Sequence, residues 1–477
     1  MASADVVIKG GKTSNGSGAD AAPHGDVQLD ILESDDTRAR EKFIPLTPLA
    51  IVDRLTVEEA WPHGQAQDAR RFFRFLDFWR RNQYTARSQS LLRAYEPFNP
   101  DSDLLITRDY NADERAKLQK RVVDGVKYAL QHANYQSIDP KDVSVILTTE
   151  SHYGLDLTVD FTAFEECVLF YRGASNKKYE RRKLTKFLRK EEFDVPVYQR
   201  LFLLFKLKPL AVRVAEVMKD KGCTEKEAEK LVKRLRSSLP TEFKEGNIYM
   251  KLFKNIPRTD IEMIFPNTQV KFRLLDKIKL GVTGGGAVGM GVFGTAGKLV
   301  AGGLAAANPI ALAGTVVTLG GIAFRQGMNF VNQKQRYMVV MAQNLYFHSM
   351  ADNRGVIVKL AERGAEEDVK EEILLYSVLA KETANRRDLP HIDRAVERYL
   401  FNTFGISVDF DLDDALERLL AEGIVTEDQN GDLRALPPQD AARLLDAKWD
   451  HFLDDLPVGV QAEGHELYMD EDAGLQA

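Results

Sequence analysis

Between Ala69 and Arg81 apolar and basic positions interleave, and Phe72, Phe75, Leu76 and Trp79 fall at i, i+3, i+4 and i+7, one apolar face of a helix. The helical pattern holds from Phe43 to about Gln136. From about Asp160 to Phe272 the period shortens to that of strands. Phe164–Arg172 is one, with Gly173 as its stop. Val195–Leu207 and Ile248–Lys254 are two more, and Ile261–Phe265 is a fourth between Pro257 and Pro266. Thr224–Arg236 is a helix, opened by a capping box of Thr224 and Glu227. Leu280–Phe324 holds 13 Gly, 9 Ala and one charge, Lys298. Arg325 to about Ala384 is helical and amphipathic. Helices at His391–Phe404 and Asp411–Glu422 follow, then a hairpin turning at Asn430-Gly431 and a last helix over Gln439–Asp455.

This order predicts an α+β protein, mainly helical: a small, mostly antiparallel sheet domain, a glycine-rich transmembrane helical hairpin and a C-terminal winged-helix-like module. The divisions expected are a disordered tail 1–37, a helical region 38–150, a basic α+β domain 151–279 and the hairpin 280–328. Amphipathic helices 329–390, an acidic module 391–456 and an acidic tail 457–477 follow.

Charge sharpens that division. The chain of 477 residues has a net charge of −6. Yet Arg172–Lys279 carries 28 Lys/Arg against 14 Asp/Glu, and His391–Ala477 carries 6 against 21. A basic segment of this size suits an anionic partner, or contact with the acidic end of the same chain. Two cysteines, Cys167 and Cys223, cannot make a disulfide scaffold. The N-terminal tail lacks an apolar signal core and has no Arg before Arg38, which argues against a secretory or mitochondrial leader.

Three readings compete for the glycine-rich stretch. Gly284–Gly289 fits a phosphate-binding fingerprint, but the flanking pattern lacks the strand–helix context. A buried soluble hairpin is the second. The third is a membrane hairpin: Leu280–Val300 reaches the ~20 residues a span needs, and Asn308-Pro309 would open a second helix. Gly281, Gly285, Gly289 and Gly297 form a smooth stripe for helix packing in lipid, and this reading is preferred. Flanking Lys277, Lys279, Arg325, Lys334 and Arg336 put both large domains on the cytoplasmic side.

The runs Leu169-Phe170-Tyr171-Arg172-Gly173-Ala174-Ser175 and Leu252-Phe253-Lys254-Asn255-Ile256-Pro257-Arg258-Thr259-Asp260-Ile261-Glu262-Met263-Ile264-Phe265-Pro266, followed by a glycine-rich hairpin, resemble the uncharacterised family numbered 3754 among domains of unknown function. The resemblance implies a membrane protein with two closely spaced spans and no established activity. With no transit peptide, a bacterial member at the inner membrane is expected.

Catalytic signals are sparse. No histidine pairs with another at i+4, neither cysteine has a C-x-x-C partner, and no G-x-S-x-G is present. No cofactor and no metal site is expected. On a strand Asp260 and Glu262 would share a face beside Arg258, with Arg172 and Ser175 as neighbours. Such a pair can hold a cation or do acid/base work. The preferred reading is an ion-pair network pinning two strands. Lys177–Lys190 holds eight cations against Glu180 alone. On a helix Lys178, Arg182, Lys186 and Arg189 would share a face. The expected function is a membrane-anchored binding or scaffold protein whose basic domain faces anionic phospholipid. The acidic C-terminal module would meet a protein partner; a cation-dependent enzyme and a nucleic-acid binder are the alternatives.

Overall fold

The structure is a computed structural model of the chain. It describes residues 40–62, 64–105, 107–139, 156–182, 190–236, 239, 243–258, 261, 264–266, 268–271, 339, 345–452 and 454. The chain divides into units Met1–Arg40 and Glu41–Ala477, and the elements that follow belong to the second.

Helix α1 (Pro48–Leu55) starts at Pro48 with the Thr47 side chain accepting from the Ala50 N–H. Helix α2 (Gln65–Tyr95) buries Phe72, Phe73, Leu76 and Trp79. Helix α3 (Ala112–His132) is opened by a capping box of Asn111 and Glu114. Then come β1 (Gln136–Ser137), β2 (Asp156–Val159), β3 (Phe164–Arg182) and β4 (Lys190–Leu207). Helices α4 (Leu210–Lys221) and α5 (Glu225–Arg236) lead to β5 (Ile248–Pro257), β6 (Thr268–Lys271) and β7 (Ser349–Asp352). Helix α6 (Arg354–Leu379) runs into β8 (Ala384–Asn385), α7 (Leu389–Phe404) and α8 (Leu412–Ala421). The hairpin of β9 (Val425–Glu427) and β10 (Asp432–Ala435) precedes α9 (Pro438–Asp450).

The main sheet has the order β1-β3-β4-β5-β7, with every neighbouring pair antiparallel. Its centre explains the unbroken apolar run Leu201-Phe202-Leu203-Leu204-Phe205. Leu201, Leu203 and Phe205 enter one core, with Tyr249, Phe253, Ile261, Ile264 and Phe265. Phe202 and Leu204 enter the other, against Val122 and Val126 of α3 and Ile357 and Leu360 of α6. A strand covered on both faces needs no polar alternation. A third core joins α1 and the first half of α2 to the C-terminal half of α6, α7, α8, the β9–β10 hairpin and α9. Helix α6 therefore contributes to two of these cores.

Several expectations change. The transmembrane hairpin is withdrawn: among the described residues no helix is long and apolar enough to cross a membrane. Helices α2 and α6 have the length, but the first carries Arg70, Arg71, Arg74, Asp77, Arg80 and Arg81 and the second a run of charges from Glu366 to Glu372. Residues 280–328, including Gly281, Gly285, Gly289 and Gly297, lie outside the described residues, as do the tails 1–37 and 457–477. An α+β protein with a small antiparallel sheet stands.

Gly173 does not end β3. It sits within the strand at φ +72°, and a Cβ there would meet the Gln199 side chain of β4 at 2.7 Å. The residue is a close-approach point, which a glycine permits without stopping the strand. Nor is Ile261–Phe265 a strand. Its described residues Ile261 and Ile264 adopt 3-10 geometry, and Ile261, Ile264 and Phe265 turn into one core at the i, i+3, i+4 spacing of a helical turn.

Candidate functional site

Helix α6 carries Glu366-Glu367-Asp368-Val369-Lys370-Glu371-Glu372, and the side chains from Glu367 to Glu372 are all buried. Buried charges are costly unless paired, and here each finds partners on other elements. Glu372, with 0% of its surface exposed, accepts from Arg80 Nε of α2 at 2.9 and 3.2 Å and from Arg418 Nε of α8 at 2.8 Å. Glu371 accepts from Arg418 Nη2 at 2.7 Å and from Asn134 Nδ2 at 3.0 Å. Glu367 pairs with Lys370 at 2.8 Å and with Arg172 Nη1 of β3 at 3.3 Å. Lys370 also donates to the Ile44 carbonyl at 2.6 Å, whose residue returns its N–H to Glu367 at 3.2 Å. At the C-terminus of α8, Glu422 accepts from Arg80 Nη1 at 2.8 Å, Trp79 Nε1 at 2.8 Å and Lys448 Nζ of α9. One charge layer thus ties α2, α6, α8, α9 and the sheet edge together.

Burial dominates its electrostatics. It pushes the Glu371 carboxyl up to about 8, and raises Asp368 and Glu372 despite the guanidinium groups beside them. Burial would raise Glu422 too, but Arg80, Lys448 and Trp79 outweigh it and hold that carboxyl below its usual range. Arg418 is driven the other way from its burial by Asp368, Glu372 and Glu371, and stays charged.

At one margin of the layer, His132 closes α3 against Asp368 and Asp414. Its Nδ1 lies 3.9 Å from Asp368 Oδ1 and 3.8 Å from Asp414 Oδ2. Both His132 Nδ1 and Asp368 Oδ1 are buried without a hydrogen bond. The other Asp368 oxygen accepts from Tyr84 Oη at 2.7 Å. Arg418 Nη1 sits 3.3 Å from Asp368 Oδ1 and contacts Asp414 Oδ2 as well. The His132 ring packs on Tyr128 at 4.1 Å between centroids. Burial, with Arg418 and Arg87 nearby, lowers the imidazole to about 4, so it is neutral at physiological pH.

Of the residues singled out in the sequence, Arg172 lies on β3 and Arg258 just past the end of β5, and they do not come to each other. Strand β4 separates β3 from β5: Arg172 is in register with Arg200, and Ser175 with Val197, which pairs onward to Pro257. Arg172 stacks on Phe43 and Tyr135 at 4.6 and 5.3 Å and serves Glu367 of α6. Arg258 lies over the Tyr198 ring at 5.0 Å. Asp260 and Glu262 lie outside the described residues. Cys167 is half-buried, and that desolvation pushes its thiol up to about 12, which removes it as a nucleophile near neutrality.

The basic segment is built differently from expectation. Lys178 and Arg182 lie on strand β3, not on a helix; Lys186 and Arg189 fall in 183–189, outside the described residues. Cross-strand pairing with β4 replaces the helical face. Strands β3 and β4 stay paired to Arg182↔Lys190, whereas the pairing of β4 with β5 ends at Val197↔Pro257. Asn176–Arg182 and Lys190–Pro196 therefore make a two-stranded ribbon, with no third described strand beside it. Lys178 is opposite Asp194 and Arg181 opposite Glu191, but the last pair sets Arg182 against Lys190, two cations.

The sequence reading missed Arg80, His132, Asp368, Glu371, Glu372 and Arg418. Their signal was the run Glu366–Glu372, whose charges at consecutive positions leave no apolar face. Read alone it suits a solvated helix; flanked by Ile357, Leu360, Ala361 and Ile373-Leu374-Leu375-Tyr376, it marks a buried helix with polar partners.

Residues 164–355 match the model of a family described as a protein of unknown function, DUF3754. The chain resembles that family over those residues. The match runs from the first residue of β3 to the second of α6, so it takes in the ribbon and Arg172 but not Arg80, His132, Asp368 or Arg418. No solved structure matches the chain.

Proposed function

We propose that this is a binding protein that docks peripherally on an anionic phospholipid surface through the end of the β3–β4 ribbon. The observation that carries the reading is the terminal Arg182↔Lys190 pair. Like charges directly opposite each other destabilise a sheet, so their placement asks for an outside counter-charge. From Arg182 to Lys190 the chain has Arg182, Lys183, Lys186, Arg189 and Lys190 with no acidic residue, interspersed with Leu184, Phe187 and Leu188. Cations with Phe and Leu are the composition of an interfacial segment, in which apolar side chains enter the headgroup boundary while the cations meet phosphate. Nucleic acid would attract the same cations but gives Leu184 and Leu188 nothing to enter. Co-sedimentation of the full chain with vesicles tests this. Binding is expected to vesicles containing phosphatidylserine, not to phosphatidylcholine alone, and to weaken with salt. Equal binding to both, or preferential binding of RNA or DNA, contradicts it.

A further inference from the structure

We infer that His132, Asp368 and Asp414 form a binding site for a divalent transition metal of the zinc class. One ligand atom from each of His132, Asp368 and Asp414 lies within 4.8 Å of the other two, drawn from α3, α6 and α8. Three lone-pair atoms converge there. His132 Nδ1 and Asp368 Oδ1 are buried without a hydrogen bond, and Asp368 has only 2% of its surface exposed. His132 Nδ1 is the costlier of the two: at 3.8 and 3.9 Å the imidazole is too far from either carboxylate to hydrogen-bond to it, whereas Asp368 Oδ1 has the Arg418 ion pair at 3.3 Å.

The donor set of one imidazole nitrogen and two carboxylate oxygens suits Zn²⁺ and its first-row neighbours. Ligand atoms about 2.0–2.2 Å from a tetrahedral zinc stand about 3.3–3.6 Å apart, so the separations of 3.8 and 3.9 Å need to close by about 0.2–0.6 Å, within a group whose atoms all lie within 4.8 Å of one another. The neutral imidazole is the form that ligates.

Arg418 Nη1 now contacts both carboxylates. A metal would compete with Nη1 for both carboxylates, and because the guanidinium is planar and rigid it would have to shift as a unit against the bonds of Nε and Nη2 to Glu372 and Glu371. Tyr84 Oη holds the far oxygen of Asp368 and fixes the direction of the near one, the outer support typical of a carboxylate ligand. Three protein ligands leave a fourth position for water.

The test uses the full chain, stripped with a chelator and titrated with Zn²⁺ by calorimetry, and with Co²⁺ by visible absorption. One metal per chain is expected, with a four-coordinate Co²⁺ spectrum. Asp414→Asn removes a ligand at the edge of the layer, where 35% of the side chain is exposed, and is expected to weaken binding about a hundredfold while keeping the near-ultraviolet circular dichroism. His132→Ala should do the same. His451→Ala, at an exposed histidine paired with Asp454, should change nothing. No uptake by the native chain, or uptake unaltered in Asp414→Asn, overturns the site.

Discussion

Replacing Arg80 by Met removes the one side chain that, among the described residues, bridges Glu372 and Glu422. Its Nε is bonded to both Glu372 oxygens and its Nη1 to Glu422, with 6% of its surface exposed. Methionine keeps the aliphatic volume, so packing is nearly preserved and the loss is electrostatic. Breaking a buried pair from one side costs about 3–5 kcal/mol. Glu372 keeps Arg418, and Glu422 keeps Trp79, Gln83 and Lys448. The expected cost is therefore at the lower end, about 3 kcal/mol. The pH dependence has a definite sign. The Glu372 carboxyl is already raised by burial, and without Arg80 it rises further. A raised folded-state pKa contributes stability at acid pH that is lost as pH rises through it. The Arg80→Met penalty must then be larger at pH 8 than at pH 5. Urea unfolding followed by tryptophan fluorescence is the assay, because Trp61 and Trp79 belong to this core. A penalty under about 1 kcal/mol that is equal at both pH values would refute the claim that the layer is a set of coupled buried ion pairs.

Glu371→Gln should flatten the fall in stability between pH 6.5 and 8. Glu371 is raised from 4.5 to about 8, so its contribution is fully present below 4.5 and lost as pH climbs through 8. His132, lowered from 6.5 to about 4, acts in the opposite sense as pH falls below 6.5, which leaves the upper window to Glu371; urea midpoints across it in chelator-treated protein decide. Gly364→Ala should cost about 1–3 kcal/mol in the same assay. Its Cβ would lie 2.6 Å from Tyr84 Cε1 and push aside the ring that supports Asp368; an unchanged midpoint would show that the ring is not held there.

Much of the scaffold was legible because it rests on local periodicity. The α2 face at Phe72, Leu76 and Trp79, the strands around Phe170, Phe202 and Met250, and the hairpin at Asn430-Gly431 all appear where the pattern puts them. Three things were not legible. Strand β4 separates the two family motifs, and sheet order is a long-range property that neither motif encodes. Gly173 reads as a stop in one dimension, but it is a contact with Gln199 in three. The charges at Glu366–Glu372 look like a solvated face because their partners Arg80 and Arg418 are remote in sequence. The ribbon was misread because basic residues recur at spacings that fit either a helix or a strand; Lys178 and Arg182 share a face in both.

The most direct test of membrane docking is at the ribbon end itself. Phe187→Trp adds a fluorophore among Lys186, Leu188 and Arg189. The chain's own Trp61 and Trp79 are buried, and the wild-type spectrum subtracts them together with Trp449. Four cations near an anionic leaflet supply about 4 kcal/mol, roughly a thousandfold in partition. Titrating the full-length variant with phosphatidylserine vesicles should shift the difference emission to the blue as the indole enters the interface. Changing Arg182, Lys186, Arg189 and Lys190 to Gln should abolish the shift. A difference spectrum unmoved by anionic vesicles at low salt, or moved equally by phosphatidylcholine, would contradict the account.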